Sequence, residues 1–126
     1  MDDYPNFVVE EAQRLLGLLS GAPFSDCAPL TRKFNELPPR PGLYALKHQG
    51  LCILYIGKST NIRARLRGGH KALGWAFTDR MNPDDVQIAH IPLSFEWNQV
   101  SYHLEQVMIK RIQPPSAIAN SKFRMN

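Results

Sequence analysis

The stretch that decides the fold reads Pro41-Gly42-Leu43-Tyr44 and then, after a short gap, Leu54-Tyr55-Ile56-Gly57-Lys58-Ser59-Thr60-Asn61-Ile62-Arg63-Ala64-Arg65-Leu66. Its first part opens a run of strand-forming residues, Leu43 to Lys47, and its second part continues another run that starts at Leu51. The residues between the runs, His48-Gln49-Gly50, have the composition of a tight turn. The sequence therefore predicts a β-hairpin.

The hairpin carries two tyrosines, Tyr44 and Tyr55. If an even number of residues forms the loop, for instance Gln49-Gly50, the two tyrosines lie opposite each other and project from one face. Two phenols would then share one patch. The alternative that the residues leave open is an aromatic pair that packs across the hairpin without any chemistry.

Around the hairpin the periodicity predicts further elements that together fit one domain. With 126 residues, the chain has room for one modest core. The predicted elements are, in order, an amphipathic helix over Phe7 to Ser20, a proline-rich connection over Ala22 to Arg40, the hairpin, a short helix over Asn61 to Arg67 capped by Ser59 or Thr60, a strand over Asp85 to Leu93, and a helix from Val100 that Pro114-Pro115 ends. We expect residues 1–36 to pack on a domain formed by residues 37–126.

Composition excludes several classes of protein. Of the residues, 44% are hydrophobic and 21% charged, and no apolar run approaches the roughly 20 residues that a membrane span needs. The chain opens with Asp2 and Asp3 where an export signal would be basic, which predicts a cytoplasmic protein. Two cysteines, Cys27 and Cys52, cannot make a disulfide scaffold, and their spacing fits no zinc site.

Charge is distributed unevenly along the chain. The formal net charge is +4, yet no acidic residue lies between Leu37 and Thr78, while four acids fall within the first eleven residues. Such a segregated basic segment would attract a polyanion. The alternative is a solvated basic surface without a partner.

Two tripeptides, Gly42-Leu43-Tyr44 and Tyr55-Ile56-Gly57, resemble the paired motifs of the GIY-YIG nuclease family, and their tyrosines have the separation typical of that family. Downstream, Arg65 falls at the family's arginine position. The segment around Glu105, followed by Gln113-Pro114, resembles the family's metal-binding glutamate helix. The resemblance covers about residues 37 to 120, and it is closest to small stand-alone members and to the N-terminal incision module of the bacterial excision-repair nuclease.

The resemblance implies an α+β fold, with a small three-stranded antiparallel sheet flanked by helices and an extra N-terminal helix. It implies hydrolysis of nucleic-acid phosphodiester bonds, with DNA as the expected substrate and one Mg²⁺ or Mn²⁺ ion as cofactor. The catalytic candidates are Tyr44, Tyr55, Lys58, Arg65, His70 and Glu105, of which Glu105 would bind the metal. The candidates for nucleic-acid contact are Gly57, Arg63, Arg67, Lys71 and Asn120.

Glu105 is the candidate that the residues themselves support best. It lies in an apolar helix with no lysine or arginine three or four positions away, so a local ion pair is excluded. A buried carboxylate needs a partner, and a divalent cation would supply one. The alternatives are partial exposure or an ion pair with Arg65. Helical geometry does not separate Arg65 from Arg63, because both flank the apolar side of their helix at similar angles.

The phenols would have to activate water. An unperturbed tyrosine has a pKa near 10, so ionising it at pH 7 would cost roughly 4 kcal/mol unless the site lowers that pKa. Lys58 and the metal are the expected sources of positive charge. Which tyrosine acts as the base stays open.

Two candidates depart from the family pattern. His70 stands five residues after Arg65, one later than in many relatives, and Ala117 occupies the family's asparagine position, so that Asn120 is the nearest substitute. These departures leave room for a scaffold that binds nucleic acid or a protein without cutting. A third reading is a subunit whose N-terminal helix docks on a larger DNA-targeting protein.

Overall fold

The computed structural model describes residues 4–29, 36–49, 53–67 and 85–112. The predictions for His70, Lys71 and Asn120 lie outside these residues. The elements are, in chain order, α1 (Asn6–Gly21), a 3-10 turn (Phe24–Asp26), β1 (Ala28–Pro29), β2 (Gly42–His48), β3 (Ile53–Ser59), α2 (Ile62–Arg67), β4 (Val86–Pro92), α3 (Phe95–Asn98) and α4 (Ser101–Ile112). Within the described part of the chain, no helix has the length and apolarity to cross a bilayer.

The strands form one antiparallel sheet in the order β1-β4-β2-β3. The predicted α+β class with an antiparallel sheet and flanking helices is confirmed. Its three longer strands are the predicted ones, and the two-residue strand β1 adds a fourth that was not predicted. Pro29 lies within β1 at the sheet's edge, where a missing backbone N–H costs no ladder bond.

The register of the hairpin differs from the predicted one. Tyr44 pairs with Gly57 and Leu46 pairs with Tyr55, so the prediction that the two tyrosines lie directly opposite each other is wrong. The pairing is offset by two residues, and an irregularity follows Leu46. Because side chains alternate with a period of two, an offset of two leaves both phenols on the same face as diagonal neighbours.

The sheet buries an apolar cluster on each face. On one face, α1 and α4 pack on the strands, and the predicted amphipathic helix α1 contributes four buried residues: Val8, Ala12, Leu15 and Leu19. On the other face, α2 packs through Ile62 and Leu66 beside Leu37 and Tyr44. The N-terminal helix thus closes the core of its own chain, although Phe7 and Leu18 stay more than half exposed.

Lys47 ties α1 to the sheet. This lysine is buried, and its ammonium donates to the carbonyl oxygens of Ser20 at 3.0 Å and Ala22 at 2.6 Å. The last carbonyl groups of a helix receive no hydrogen bond from within the helix, and they interact favourably with a cation. A charged side chain of β2 therefore fixes the end of the helix that covers the sheet.

Candidate active site

Tyr44 lies across the backbone of the neighbouring strand, directly over Gly57. A Cβ at position 57 would lie 2.5 Å from the Tyr44 hydroxyl oxygen and 2.6 Å from its Cζ. We predicted that Gly57 admits close approach of backbone or phosphate, but the group that approaches is the Tyr44 phenol. Since Tyr44 is 1% exposed, the glycine makes room for a tyrosine whose ring is fixed by packing.

Tyr55 stands beside Tyr44 and is less buried. The ring centroids are 6.1 Å apart, with an angle of 42° between the planes, and a hydrogen bond joins the two side chains. That bond raises the pKa of Tyr44 and lowers the pKa of Tyr55, so it favours the anionic form on Tyr55 over that on Tyr44. The two phenols therefore form a hydrogen-bonded pair.

Neither phenol is ionised easily by its protein surroundings alone. Burial is the main cause that raises the pKa of Tyr44 well above its ordinary value, and burial also raises the pKa of Tyr55. The negative charge of Glu105 raises both pKa values further, whereas the positive charge of Arg65 lowers both. The net direction is opposite to the one that water activation needs, so additional positive charge is required.

Helix α2 carries Arg65, and hydrogen bonds of its backbone and of its capping residue fix its position. The side chain of Asn61 accepts the Ala64 N–H at 3.0 Å, so Asn61 is the capping residue in place of the predicted Ser59 or Thr60. Ser59 instead accepts the Asn61 N–H at 3.0 Å through its hydroxyl oxygen. The backbone N–H of Ile62 donates to the Arg40 carbonyl at 3.0 Å. The helix thus begins against the chain that precedes the hairpin.

Tertiary contacts separate the two arginines that helical geometry could not. Arg63 donates through Nε to the Leu37 carbonyl at 2.8 Å, on the side of α2 that faces the connection. The charge of Arg65, by contrast, acts on Tyr44 and on Tyr55. Of these two arginines, Arg65 is the one on the side of the phenols.

Glu105 lies at the free edge of β3, on the helix that packs against that strand. The backbone N–H of Lys58 donates to its carboxylate, and the Gln106 amide donates to Oε1 at 3.5 Å. Burial raises the pKa of Glu105, while the nearby Lys58 charge and these two hydrogen bonds act in the lowering direction. Among the described residues no salt bridge joins Glu105 to Arg65, so the alternative of an ion pair between them is not realised.

Lys58, the expected source of positive charge for the phenols, lies beside Glu105. Its charge acts on Glu105, and its side chain is exposed. Successive residues of a strand point to opposite faces, which places Lys58 on the face away from Tyr55 and Gly57. The cation shown to lower the pKa of the phenols is Arg65. Lys58 instead steadies the carboxylate through both its main chain and its charge.

These contacts bring the predicted side chains of Tyr44, Tyr55, Arg65 and Glu105 together, with Lys58 beside the carboxylate. Residues 40–118, which include all of these side chains, match the family model of the GIY-YIG catalytic domain. The chain belongs to the GIY-YIG family.

Individual relatives agree with this assignment. The UvrABC system protein C of Synechococcus sp. (strain JA-3-3Ab) is 32% identical over 87 residues, which are 68% of this chain and 14% of the relative. The protein of the same name from Chlorobium chlorochromatii (strain CaD3) is 30% identical over 89 residues, again 68% of this chain and 14% of the relative. The predicted resemblance to this family and to the excision-repair nuclease is confirmed, although the chain spans about one seventh of the length of these relatives. No solved structure shows significant similarity to the chain.

The GIY-YIG site offers a divalent cation one carboxylate. In the described part of the chain, no cluster of three or more histidine, cysteine, aspartate or glutamate side chains is present. Mg²⁺ keeps several waters and is often held by one or two carboxylates together with substrate phosphate. Glu105 fits this role, because its partial burial raises its pKa and a neighbouring cation would offset that penalty.

Sequence reasoning missed Gln106 at this GIY-YIG site and the Leu37 carbonyl on the opposite flank of α2. Gln106 follows Glu105 directly and donates to it, an orientation that neighbouring positions on a helix do not usually allow. The Leu37 carbonyl, which holds Arg63, is a backbone group in the proline-rich connection. Neither contact has a pattern in the sequence. The first joins side chains at adjacent positions of one helix, and the second arises from tertiary packing.

Proposed function

We propose that this chain is a metal-dependent endonuclease that hydrolyses phosphodiester bonds of DNA, acting in the cytoplasm with Mg²⁺ or Mn²⁺. Membership of the GIY-YIG family and similarity to UvrABC system protein C support nuclease chemistry. The observation that carries the proposal is the convergence of two hydrogen-bonded phenols, the charge of Arg65 and the partly buried carboxylate of Glu105. Together they can orient a water, bind a phosphate and hold a cation.

Tyr55 is the phenol that we assign to the attacking water. It is less buried than Tyr44, and it accepts a hydrogen bond from Tyr44 that stabilises its anionic form. Tyr55 must first release its own proton to solvent, and the resulting phenolate then takes the proton of the attacking water and becomes neutral again. Tyr44, enclosed over Gly57, holds the orientation of Tyr55 and stabilises its ionised form by a hydrogen bond.

Arg65 is the group that we assign to the scissile phosphate. It is exposed, so a substrate can reach it, and it lies close enough to both phenols to act on their charges. A guanidinium can donate to two phosphate oxygens at once and stabilise the negative charge that develops in the transition state. Arg65 also offsets the charge that would form on Tyr55.

Glu105 is the group that would hold the metal. When bound, the divalent ion would supply positive charge beside the phosphate and the phenols. The Lys58 backbone N–H and the Gln106 amide keep the carboxylate oriented. Hydrogen bonds that orient a carboxylate in this way would help it to bind a metal ion without a second protein carboxylate.

The test of this function is cleavage of supercoiled plasmid with Mg²⁺ or Mn²⁺. We expect Glu105→Ala and Arg65→Ala to lose nicking by at least about 10²-fold, the usual cost of removing one transition-state contact. Arg14→Ala, an exposed arginine whose side chain pairs with Glu11 on α1, is the control and should cut normally. Nicking by both site variants at the control's rate would contradict the proposal.

The assignment of the tyrosines has its own test. Tyr55→Phe removes the oxygen that takes the proton, so it should reduce single-turnover cleavage by about 10²–10⁴-fold. Tyr44→Phe keeps the packed ring and removes only the donor, so it should cost less. The reverse order of activities would exchange the two roles.

A scaffold that binds nucleic acid without cutting is the second candidate, favoured by the raised pKa of both phenols. Titration of Mn²⁺ into the protein with a non-cleavable duplex separates the two functions. The scaffold predicts salt-sensitive binding that is independent of Mn²⁺ and of Glu105→Ala. The nuclease predicts binding that Mn²⁺ strengthens only when Glu105 is present.

A further inference from the structure

Helix α2 presents cations on two opposite flanks. Arg63 and Arg65 are two positions apart, which separates them by about 200° around the helix axis. Arg65 faces the phenols, whereas Arg63 reaches the Leu37 carbonyl. Arg67, one turn after Arg63, continues the second flank and is exposed. Only one of the two basic flanks is used by the proposed chemistry.

The second flank borders a cavity of about 360 Å³, lined by Pro39, Asn61, Arg63, Ala64 and Arg67. Two guanidinium groups and one amide give this lining donors and positive charge, and no carboxylate is among the lining residues that the structure describes. The bond from Arg63 Nε to Leu37 fixes that guanidinium at 2.8 Å from the carbonyl. Ala64, which also lines the cavity, is exposed and lies between Arg63 and Arg65 in the helix.

We propose that this cavity binds a backbone phosphate of the nucleic-acid substrate, at a distance from the phosphate that is cut. This inference rests on the proposed function, which supplies the substrate. It adds a second place on the protein where that substrate is bound. One guanidinium group can donate to two oxygens of the same phosphate. The segment from Leu37 to Thr78 contains no acidic residue that would repel a phosphate. A polynucleotide is the ligand that offers regularly spaced phosphates to both flanks of one helix.

Geometry sets a minimum length for the substrate. An α-helix with its side chains is about 10–12 Å wide, and one strand of a duplex advances about 3.4 Å per nucleotide. A backbone that meets Arg65 on one flank must therefore pass over Ala64 and extend about three nucleotides to reach the cavity. Substrates shorter than this would occupy the catalytic side alone.

The test places a charge in the cavity without removing any contact. Ala64→Glu adds a carboxylate at an exposed position, and Ala64→Gln adds a neutral side chain of the same shape. Affinity is measured in EDTA by fluorescence anisotropy, with a labelled 20-base-pair DNA duplex and with single-stranded RNA of matching sequence. We expect Ala64→Glu to bind DNA roughly three- to tenfold more weakly than Ala64→Gln.

Salt dependence provides a second, independent readout. Arg67→Gln should lower the slope of log K against log salt by about 1, as expected when one phosphate contact is lost. Arg14→Gln, with the same change in charge on α1, should leave the slope unchanged. Thermal melts of all four variants check that each is folded.

Each outcome bears on the proposal. Equal affinities of Ala64→Glu and Ala64→Gln, no binding of either nucleic acid by the wild type, or equal competition by polyglutamate would overturn it, the last in favour of an acidic protein partner. If Ala64→Glu, compared with Ala64→Gln, weakens the binding of RNA more than the binding of DNA, the cavity is assigned to the RNA backbone. The failures are distinguishable: charge-dependent binding without plasmid nicking removes the nuclease function only, and nicking with equal affinities removes the cavity only.

Discussion

The packing of Tyr44 over Gly57 makes the substitution Gly57→Ala the most informative perturbation of this fold. The new Cβ would lie 2.5 Å from the Tyr44 oxygen and 2.9 Å from Cε2 of Tyr55. Ordinary van der Waals contact begins near 3.4 Å, so the phenol oxygen must retreat by about 0.9 Å. Because Tyr44 is enclosed by the apolar cluster under α2, it has no open direction in which to move.

Two measurable losses follow from that displacement. Overpacking of a well-packed core costs about 1–3 kcal/mol, which corresponds to a fall in Tm of roughly 4–12 °C. Displacement of a catalytic group by about 1 Å costs about 10²-fold in rate. The assays are calorimetric melting and single-turnover plasmid cleavage. Substitution of a second glycine, Gly17→Ala in α1, is the control, because nothing lies within 4 Å of its Cβ and the helix should gain about 0.5–1 kcal/mol.

A double substitution connects the loss to the contact. Tyr44→Phe removes the oxygen at 2.5 Å but keeps Cζ at 2.6 Å, so it should recover part of the stability that Gly57→Ala loses. Cleavage would not recover, since the hydrogen-bond donor to Tyr55 is gone. If Gly57→Ala melts within about 1 °C of the wild type and cuts at full rate, the account of this glycine is refuted.

Other substitutions probe the supports of the site. Lys47→Met leaves two carbonyls of the α1 terminus without their donor and should cost about 2–4 kcal/mol in urea unfolding, with cleavage retained below the melting point. Glu105→Gln should abolish cleavage yet raise the free energy of unfolding at pH 7 by about 0.5–2 kcal/mol, because the raised pKa of Glu105 means that folding disfavours its charged form. That gain should vanish below about pH 4, where the carboxyl is protonated in both states, and a gain that persists there would contradict the argument. Removal of residues 1–22 should expose the apolar face under α1 and produce dye binding or self-association, measured by sedimentation.

The sequence determined which face carries the phenols, but it could not determine their register. A period of two fixes the face, so any even offset of the hairpin brings Tyr44 and Tyr55 together. The offset itself depends on the irregularity after Leu46, where Lys47 pairs with Ile53, and on the glycine that admits the Tyr44 ring. Both are consequences of packing between strands, and a single sequence carries no periodic signal for them.

Arg65 illustrates the same limit at the site. Helical geometry left Arg63 and Arg65 equivalent, and the resemblance to the family was needed to choose between them. The structure makes the choice physically, because the Leu37 carbonyl accepts from Arg63 on one flank and the phenols face Arg65 on the other. Strand β1 was missed for a related reason, since two residues become a strand only by pairing with β4.

The position of Glu105 explains why the site stands at the edge of the sheet. An edge strand has backbone N–H groups that no neighbouring strand uses, and the one at Lys58 donates to the Glu105 carboxylate. An internal strand could not offer this donor, because its N–H groups belong to the ladders on both sides. Packing of α4 on β3 thus brings a carboxylate to this edge, where its charge acts on the phenols. A cation held by Glu105 would offset the charge that burial disfavours on this carboxylate and would add positive charge that the two phenols need to ionise, so metal binding and water activation would be coupled.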